Sequence, residues 1–431
     1  ALPISILSPN STPRFTNLSN GIRIATIPVI SDLTTVGVWV KSGSIYENRA
    51  NNGVAHFLEH IIYRGNAKYP QSKLEKLADQ KGINLKAATS RTTTSFFGMA
   101  EKNHVKDAID MLAQLVYNPN INDDVVNSEK ETILQEEFEV SHDFNEMLWD
   151  KLHEVSFGGC AVGMPILGTS KTIKEMTAKM LQEHYDKFFT PENSYFVCAS
   201  KLEHERIVEM IQNATDFIKP NKNRVNRAEL INRTLKLQFE PKIQLFSSNS
   251  LDRSWCSLGI TGPGLSSELY YAAQLALSII GNLSQSQLQI PPLLNSPSIS
   301  RLNSHYVPYG QIGFLAFLGD CKFGKEQEWM TTVSNAIVNA TVNVSEENLK
   351  MGKTQAMLRL LKNLDSTTSV ADDLAINLLL NKTWKSPTEW KEILDKTKKE
   401  DLVNFAVTSL HQQQFSSALF MPNPKQTQSK K

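Results

Sequence analysis

Two stretches of this sequence recur about 220 residues further along the chain, and this repetition constrains the fold more than any single motif. The segment TVGVWVKSG at 35–43 resembles SWCSLGITG at 254–262. Residues 180–200 likewise resemble residues 401–421. Because similar offsets relate opposite ends of the two halves, we predict a duplicated domain.

The boundary between the two copies falls in a polar stretch. Residues 219–232, KPNKNRVNRAELIN, are basic and contain few large apolar side chains, which is typical of a linker. We therefore predict an N-terminal domain over 1–218, a linker over 219–232 and a homologous C-terminal domain over 233–431.

Strands and helices alternate along the first half. The β-branched runs at 21–29 and 34–43 predict strands, and residues 83–100 predict a hairpin-like strand pair. Apolar residues at helical spacing predict helices over 104–119 and 123–140. The predicted fold class is α+β, with a mixed or antiparallel sheet packed with helices in each domain.

Composition excludes several classes of protein. Lys and Arg number 45 against 44 Asp and Glu, so nothing indicates a nucleic-acid-binding surface. No apolar run reaches the ~18 residues that cross a bilayer, so we expect membrane association only through partners. Four cysteines, Cys160, Cys198, Cys256 and Cys321, are far apart and predict isolated buried thiols in a reducing compartment. Because the chain begins with Ala1, we expect that a segment was removed.

A five-residue motif, HFLEH, carries the chemistry of the first half. On a helix, His56, Glu59 and His60 share one face. Two imidazoles one turn apart suit tetrahedral Zn²⁺, provided that a third ligand and an open position complete the site. The alternative is a pair of histidines making polar contacts on a helix. The second copy has Leu275 near the position of His56, so we expect a metal site in the first half only.

A third ligand is expected on the helix that contains SEKETILQEEFEV. Glu129 and Glu136 are seven residues apart and so share a face of that helix. Without the histidines, we would interpret both as part of a solvated face, as we interpret Glu131. Glu136 follows His60 by 76 residues. The chain therefore resembles the pitrilysin-type metallopeptidases, or inverted zincins, in which a ligand glutamate follows H-x-x-E-H by about 75 residues.

The resemblance covers nearly the whole chain. The segments at 51–66, 85–97, 151–157 and 164–173 are similar to the mitochondrial members of the family. Those members are the processing-peptidase subunits and the core subunits of ubiquinol–cytochrome c oxidoreductase, respiratory complex III. The resemblance implies two homologous α+β domains that enclose a cavity, and a partner subunit of the same fold.

The resemblance also assigns roles to residues. His56, His60 and Glu136 would ligate zinc. Glu59 and Glu129 would be catalytic if the chain is active, Glu59 as the general base and Glu129 by orienting a ligand histidine. No haem or flavin is expected on this chain.

Four positions depart from the pattern of processing peptidases. Lys86, Ala88 and Thr92 stand where those enzymes usually have Asn, Tyr and Glu on the substrate-binding strand. Leu318 stands where active members have a tyrosine of the second domain. Because presequences are rich in arginine, a lysine in place of a neutral side chain and the loss of a carboxylate would weaken their binding.

These departures favour a structural role over an enzymatic one. We expect core subunit 1 of complex III, peripheral on the matrix side of the mitochondrial inner membrane. Its partners would be a homologous core protein 2 and the membrane-embedded subunits cytochrome b, cytochrome c1 and the Rieske protein. The alternative is the zinc-dependent β-subunit of mitochondrial processing peptidase, paired with its α-subunit. A stand-alone oligopeptidase is less favoured, because such chains generally run longer.

Overall fold

The structure, a computed structural model, describes residues 6–8, 11–219, 237–281, 299–410 and 415–423. Apart from its first residue, the predicted linker at 219–232 lies outside the described residues. Within them, no helix combines the length and the apolar character needed to cross a membrane.

The chain divides into two compact units, and each takes segments from both halves of the sequence. Unit 1 consists of Ala1–Glu139, Met164–Lys236 and Leu361–Thr388. Unit 2 consists of Val140–Gly163, Leu237–Leu360 and Glu389–Lys431.

Unit 1 is built on a six-stranded sheet of order β1-β2-β6-β3-β5-β4. Its strands are β1 (Arg14–Asn17), β2 (Arg23–Pro28), β3 (Leu33–Val40), β4 (Asn84–Thr89), β5 (Thr94–Glu101) and β6 (Ser194–Ser200). The β2–β6 pair is parallel and the other pairs are antiparallel. The predicted strand pair at 83–100 is confirmed as β4 and β5, and β4 forms one edge of the sheet.

Helices from the first half cover one face of this sheet. They are α1 (Val54–Tyr63), α2 (Gln71–Lys81), α3 (Val105–Tyr117), α4 (Asp123–His142), α6 (Ser170–Glu175), α7 (Ala178–Phe188) and α8 (His204–Ala214), while α5 (Phe144–Phe157) belongs to unit 2. Side chains alternate along a strand, and Val36, Val38 and Val40 of β3 point into the core that α1 and α3 complete. This core holds α1 in place.

Unit 2 repeats the arrangement with five strands in the order β7-β11-β8-β10-β9. These are β7 (Ile243–Ser248), β8 (Ser254–Pro263), β9 (Ile299–Tyr309), β10 (Ile312–Cys321) and β11 (Ser417–Pro422). The later helices are α9 (Leu269–Ile280), α10 (Glu326–Ala340), α11 (Glu346–Asn363), α12 (Thr367–Asn381), α13 (Pro387–Lys396) and α14 (Lys399–Leu410).

The two sheets have the same topology. The strands β7, β11, β8, β10 and β9 match β2, β6, β3, β5 and β4 in order and in direction, including one parallel pair in each sheet. The two stretches that the sequence repeats fall on equivalent elements, namely β3 and β8, and α7–β6 and α14–β11. The predicted α+β class with two homologous domains is confirmed.

Each sheet also packs against one helix from the other half of the sequence. In unit 1, α12 packs on β3 and β6, where Trp39 Nε1 donates a hydrogen bond to Asp372 Oδ1 at 2.8 Å. In unit 2, α5 packs on the equivalent strands β8 and β11. The exchanged helices therefore occupy equivalent places in the two units.

Three cysteines differ from the sequence-based expectation. Cys256 and Cys321 lie on the neighbouring strands β8 and β10 with their Sγ atoms 3.6 Å apart, so they are not isolated. Cys160 is only partly buried. Strand pairing between distant segments brings the first two together, which spacing along the chain could not reveal.

Candidate metal centre

The helix α1 presents the H-x-x-E-H residues on one side and core residues on the other. Its apolar side chains are buried against the sheet of unit 1, namely Val54, Phe57, Leu58, Ile61 and Ile62. His56, Glu59 and His60 share the other side, because residues three and four apart are neighbours on a helix. His56 is 6% exposed. The core thus fixes the rotation of α1 and the direction of both imidazoles.

The third predicted ligand reaches the same point from α4. Glu136 Oε1 lies 3.5 Å from His56 Nε2, and Glu136 Oε2 lies 3.2 Å from His60 Nε2. Tetrahedral zinc with bonds of about 2.0–2.1 Å places neighbouring ligand atoms about 3.3–3.4 Å apart. Each distance is close to that value and involves a different oxygen of Glu136. The ligand atoms of the three side chains lie within 4.8 Å of one another, close enough to face one ion.

Glu129 contacts one of the two histidines, His60, from α4. Its carboxylate is 6% exposed, with Oε1 3.0 Å from His60 Nδ1 and Oε2 3.1 Å from Arg64 Nε. A carboxylate that accepts a hydrogen bond from Nδ1–H keeps Nε2 of the same ring available as a metal ligand. Arg64 was not predicted. Its place at the end of α1, four residues after His60, is the signal that could have suggested it.

The protonation of these groups follows from their contacts. Burial lowers the pKa of His60, but hydrogen bonds with Glu136 and Glu129 outweigh it, so the pKa is raised. Hydrogen bonds with His56 and His60 hold the pKa of Glu136 far below its usual range. Glu136 is therefore an anion near neutral pH, and it faces the two imidazoles that would share a metal ion with it. Binding of a metal would release the imidazole proton.

The residues fit zinc by their chemistry as well as by their spacing. Two imidazole nitrogens and one carboxylate oxygen lie within 4.8 Å of one another. In the part of the chain that the structure describes, no other group of three such side chains comes close enough to hold a metal ion. Two imidazoles and one carboxylate are a donor set of catalytic zinc sites that keep a fourth position open.

Glu59 has a partner of its own on the sheet. Thr89 Oγ1, at the end of β4, donates a hydrogen bond of 2.5 Å to Glu59 Oε2. This contact was not predicted, since β4 and α1 are distant in sequence. It ties the Glu59 carboxylate of α1 to the edge strand of the sheet.

The four positions that differ from the processing-peptidase pattern lie on two strands and in one turn. Lys86 and Ala88 are exposed on β4, and Thr92 lies in the turn that follows. Leu318 lies on β10 in unit 2, where it lines a cavity of about 530 Å³ together with Trp149 and Trp255. Leu318 also packs against an apolar cluster that contains Leu148, Val155 and Phe420.

Comparison with known proteins gives matches along most of the chain. Residues 24–170 match the family model "Insulinase (Peptidase family M16)", and residues 175–356 match "Peptidase M16 inactive domain". The chain is 27% identical to ubiquinol-cytochrome-c reductase complex core protein I of Euglena gracilis, with 90% of this chain and 82% of that protein covered. It is 26% identical to mitochondrial-processing peptidase subunit beta of Neurospora crassa, with 91% and 84% covered.

Solved structures have the same fold. A chain of complex III2 from Candida albicans matches with a TM-score of 0.82 at 18% identity, covering 95% of each chain. A protease from Helicobacter pylori matches with a TM-score of 0.85 at 16% identity, covering 96% of this chain and all of that one. Relatives of both mitochondrial kinds are thus similar to this chain at low identity. Together with the paired domains and the H-x-x-E-H site, these matches show that the chain belongs to peptidase family M16, the insulinase family.

Proposed function

We propose that this chain is core subunit 1 of mitochondrial ubiquinol–cytochrome c oxidoreductase. In this role it supports assembly and stability of the complex, peripheral to the inner membrane on the matrix side. It pairs with a homologous core protein 2 and contacts membrane-embedded subunits such as cytochrome b, cytochrome c1 and the Rieske protein. It carries no redox cofactor. The similarity to the core protein I of Euglena gracilis supports this assignment.

The side chains of β4 carry the proposal. An extended peptide can add to an exposed sheet edge, and β4 is such an edge beside the metal centre. Its exposed residues Lys86 and Ala88 offer a cation and a methyl group. A lysine repels arginine-rich presequences, and neither residue supplies a carboxylate that would attract them. The strand therefore suits a subunit that has stopped processing such substrates.

The test is the native size of the assembly that contains this chain. Source membranes are extracted with mild detergent, and the chain is followed by antibody while haem absorbance is recorded. We expect co-migration with b- and c-type haem in an assembly much larger than two chains of this length. Migration as a haem-free pair of similar chains would contradict the proposal.

The geometry of the metal centre favours a second candidate, the zinc-dependent β-subunit of mitochondrial processing peptidase. The ligand atoms of His56, His60 and Glu136 lie within 4.8 Å of one another. When bound there, zinc would supply a Lewis acid that polarises a peptide carbonyl and acidifies water. Glu59, held by Thr89, would accept the proton of the attacking water and pass it to the leaving amine.

The second candidate is tested with Glu59→Gln in the presence of the homologous partner chain. Glu131→Gln is the control, because Glu131 is an exposed carboxylate on α4. If the chain is a peptidase, Glu59→Gln abolishes cleavage of a presequence peptide and leaves bound zinc unchanged, while Glu131→Gln cleaves normally. If cleavage is absent from the wild type, or is the same in Glu59→Gln, the second candidate fails.

A further inference from the structure

A buried carboxylate outside the predicted site lies at the start of α1. Glu47 is 7% exposed and belongs to the segment that precedes the helix. Burial raises the pKa of Glu47 to about 7, although hydrogen bonds from Ala55, Gly53 and Asn52 act in the opposite direction. No role for this residue was predicted from the sequence.

Glu47 accepts three hydrogen bonds from the beginning of the helix. Its Oε2 accepts from the Gly53 backbone N–H at 2.7 Å and from Asn52 Nδ2 at 2.9 Å, and its Oε1 accepts from the Ala55 backbone N–H at 2.9 Å. The first N–H groups of a helix have no partner within the helix. The N-cap residue Gly53 has no side chain to accept them, so Glu47 serves as the cap from six residues upstream.

A second contact ties the same turn to another segment. Asn52 Nδ2 also donates to the Pro165 carbonyl at 2.9 Å. Gly53 has a φ of +93° and packs directly against the loop at Leu167 and Gly168. The start of α1 is thus held between the Glu47 carboxylate and the loop that begins at Pro165.

The consequence for the metal centre follows from helix geometry. His56 comes one residue after Ala55, and each residue turns the helix by about 100°. If the first turn loosens or starts one residue later, His56 Nε2 moves by ångströms, whereas metal sites tolerate about 0.2 Å. His60, one turn further on, is held in addition by Glu129. The position of His56 therefore depends most on the start of the helix.

We propose that Glu47 is a positioning residue of the metal centre, which sets the start of α1 and thereby the place of His56 among the ligands. The inference rests on the proposed metal site but not on catalysis. Donors approach both oxygens of the Glu47 carboxylate, whereas a glutamine side chain has only one oxygen. The NH₂ group of Gln at position 47 would therefore face a backbone or side-chain N–H. The helix start then loses at least one acceptor.

The experiment is titration of the metal-free full chain with Co²⁺, followed by the absorption bands of tetrahedral cobalt. We expect Glu47→Gln to weaken Co²⁺ binding at least tenfold, at the lower end of the effect of removing groups that orient metal ligands. Asp143→Ala is the matched control. Asp143 accepts from the Asn145 and Glu146 backbone N–H groups at the start of α5, a helix that carries no proposed ligand. Asp143→Ala should lower the free energy of unfolding and leave the cobalt affinity unchanged.

Hydrogen exchange of the same proteins without metal is the second measurement. Glu47→Gln should raise the exchange rate of the amides at 53–57 and leave those of α5 unchanged. Cobalt affinity within twofold of the wild type, in a folded Glu47→Gln protein, overturns the proposal. If the wild type binds no Co²⁺, the proposed metal site is wrong. If the amides at 53–57 of Glu47→Gln then also exchange at the wild-type rate, Glu47 does not set the start of α1 either.

Discussion

Replacing Gly53 by alanine tests whether the start of α1 is as closely packed as the structure indicates. Gly53 has a φ of +93°, a region that L-residues with a Cβ rarely adopt. A Cβ at this position would lie 2.6 Å from the Leu167 carbonyl oxygen and 2.9 Å from Gly168 Cα. Both neighbours are backbone atoms, so a side-chain rotation cannot relieve the contact.

The chain offers a matched control in Gly82, at the end of α2. Gly82 has a φ of +60°, and a Cβ added there would have no neighbour within 4 Å. Gly82→Ala therefore carries only the backbone cost of about 1 kcal/mol, partly offset by the reduced entropy of the unfolded chain. Gly53→Ala adds an overpacking cost of about 1–3 kcal/mol. We expect it to lower the free energy of unfolding by about 2–4 kcal/mol.

Urea unfolding followed by circular dichroism, with EDTA present to remove metal, measures both variants. The two glycines lie in unit 1, so they report on the same transition. Gly53→Ala should also weaken zinc binding, whereas Gly82→Ala should not. If the two variants differ by less than about 1 kcal/mol, the packing argument for the start of α1 is refuted.

Three further predictions concern other parts of unit 1. Glu129→Gln should weaken zinc binding by about 10- to 100-fold in a chelator competition assay, and the control Glu131→Gln should not. Equal zinc affinities of the two variants would contradict the role of Glu129. Burial lowers the pKa of His184 to about 3 from its usual value of 6.5, so the unfolded state binds its proton first as the pH falls. Between about pH 7.5 and pH 5 the wild type should therefore lose about 2 kcal/mol of stability, and His184→Gln should not show this loss. Parallel pH profiles of the two proteins in urea unfolding would contradict the prediction. Trp39→Phe removes the buried indole that donates to half-buried Asp372 and should lower the free energy of unfolding by about 1–3 kcal/mol. An unchanged free energy of unfolding would contradict the importance of that hydrogen bond.

Local elements of the fold could be predicted where the pattern is local. The helix predicted over 104–119 appears at Val105–Tyr117, and the strand pair at 83–100 appears as β4 and β5. The exchange of α5 and α12 could not be predicted in this way. Their apolar faces indicate that each helix is buried, but periodicity does not say against which sheet.

The side-chain cluster of the candidate metal centre could be predicted because the spacing of its residues follows helix geometry. His56 and His60 are one turn apart on α1, and Glu129 and Glu136 are two turns apart on α4, so each pair had to share a face. The roles of these residues remain predictions. Glu47 and Thr89 were missed because each reaches the site from a segment outside the motif, through contacts that only folding creates.

Contacts among the proposed ligands also explain how these residues would persist if the chain were the proposed core subunit and cleaved no peptides. His56 and His60 contact Glu136, and Glu129 joins His60 to Arg64. These contacts tie α1 to α4, so loss of Glu136 would take the facing carboxylate from buried His56, and loss of His60 would take one partner from both glutamates. The ligands therefore have a structural reason to remain in either proposed function.

Glu59 has no such reason. Among the described residues its side chain makes one hydrogen bond, to Thr89, and it belongs to none of the ion pairs that join α1 to α4. A glutamine there keeps an acceptor for the Thr89 hydroxyl, so the fold should tolerate the exchange. A general base, in contrast, cannot be replaced by an amide, because an amide does not accept a proton near neutral pH. The response to a change at Glu59, rather than the presence of the ligands or of zinc, therefore separates a structural core subunit from a working peptidase.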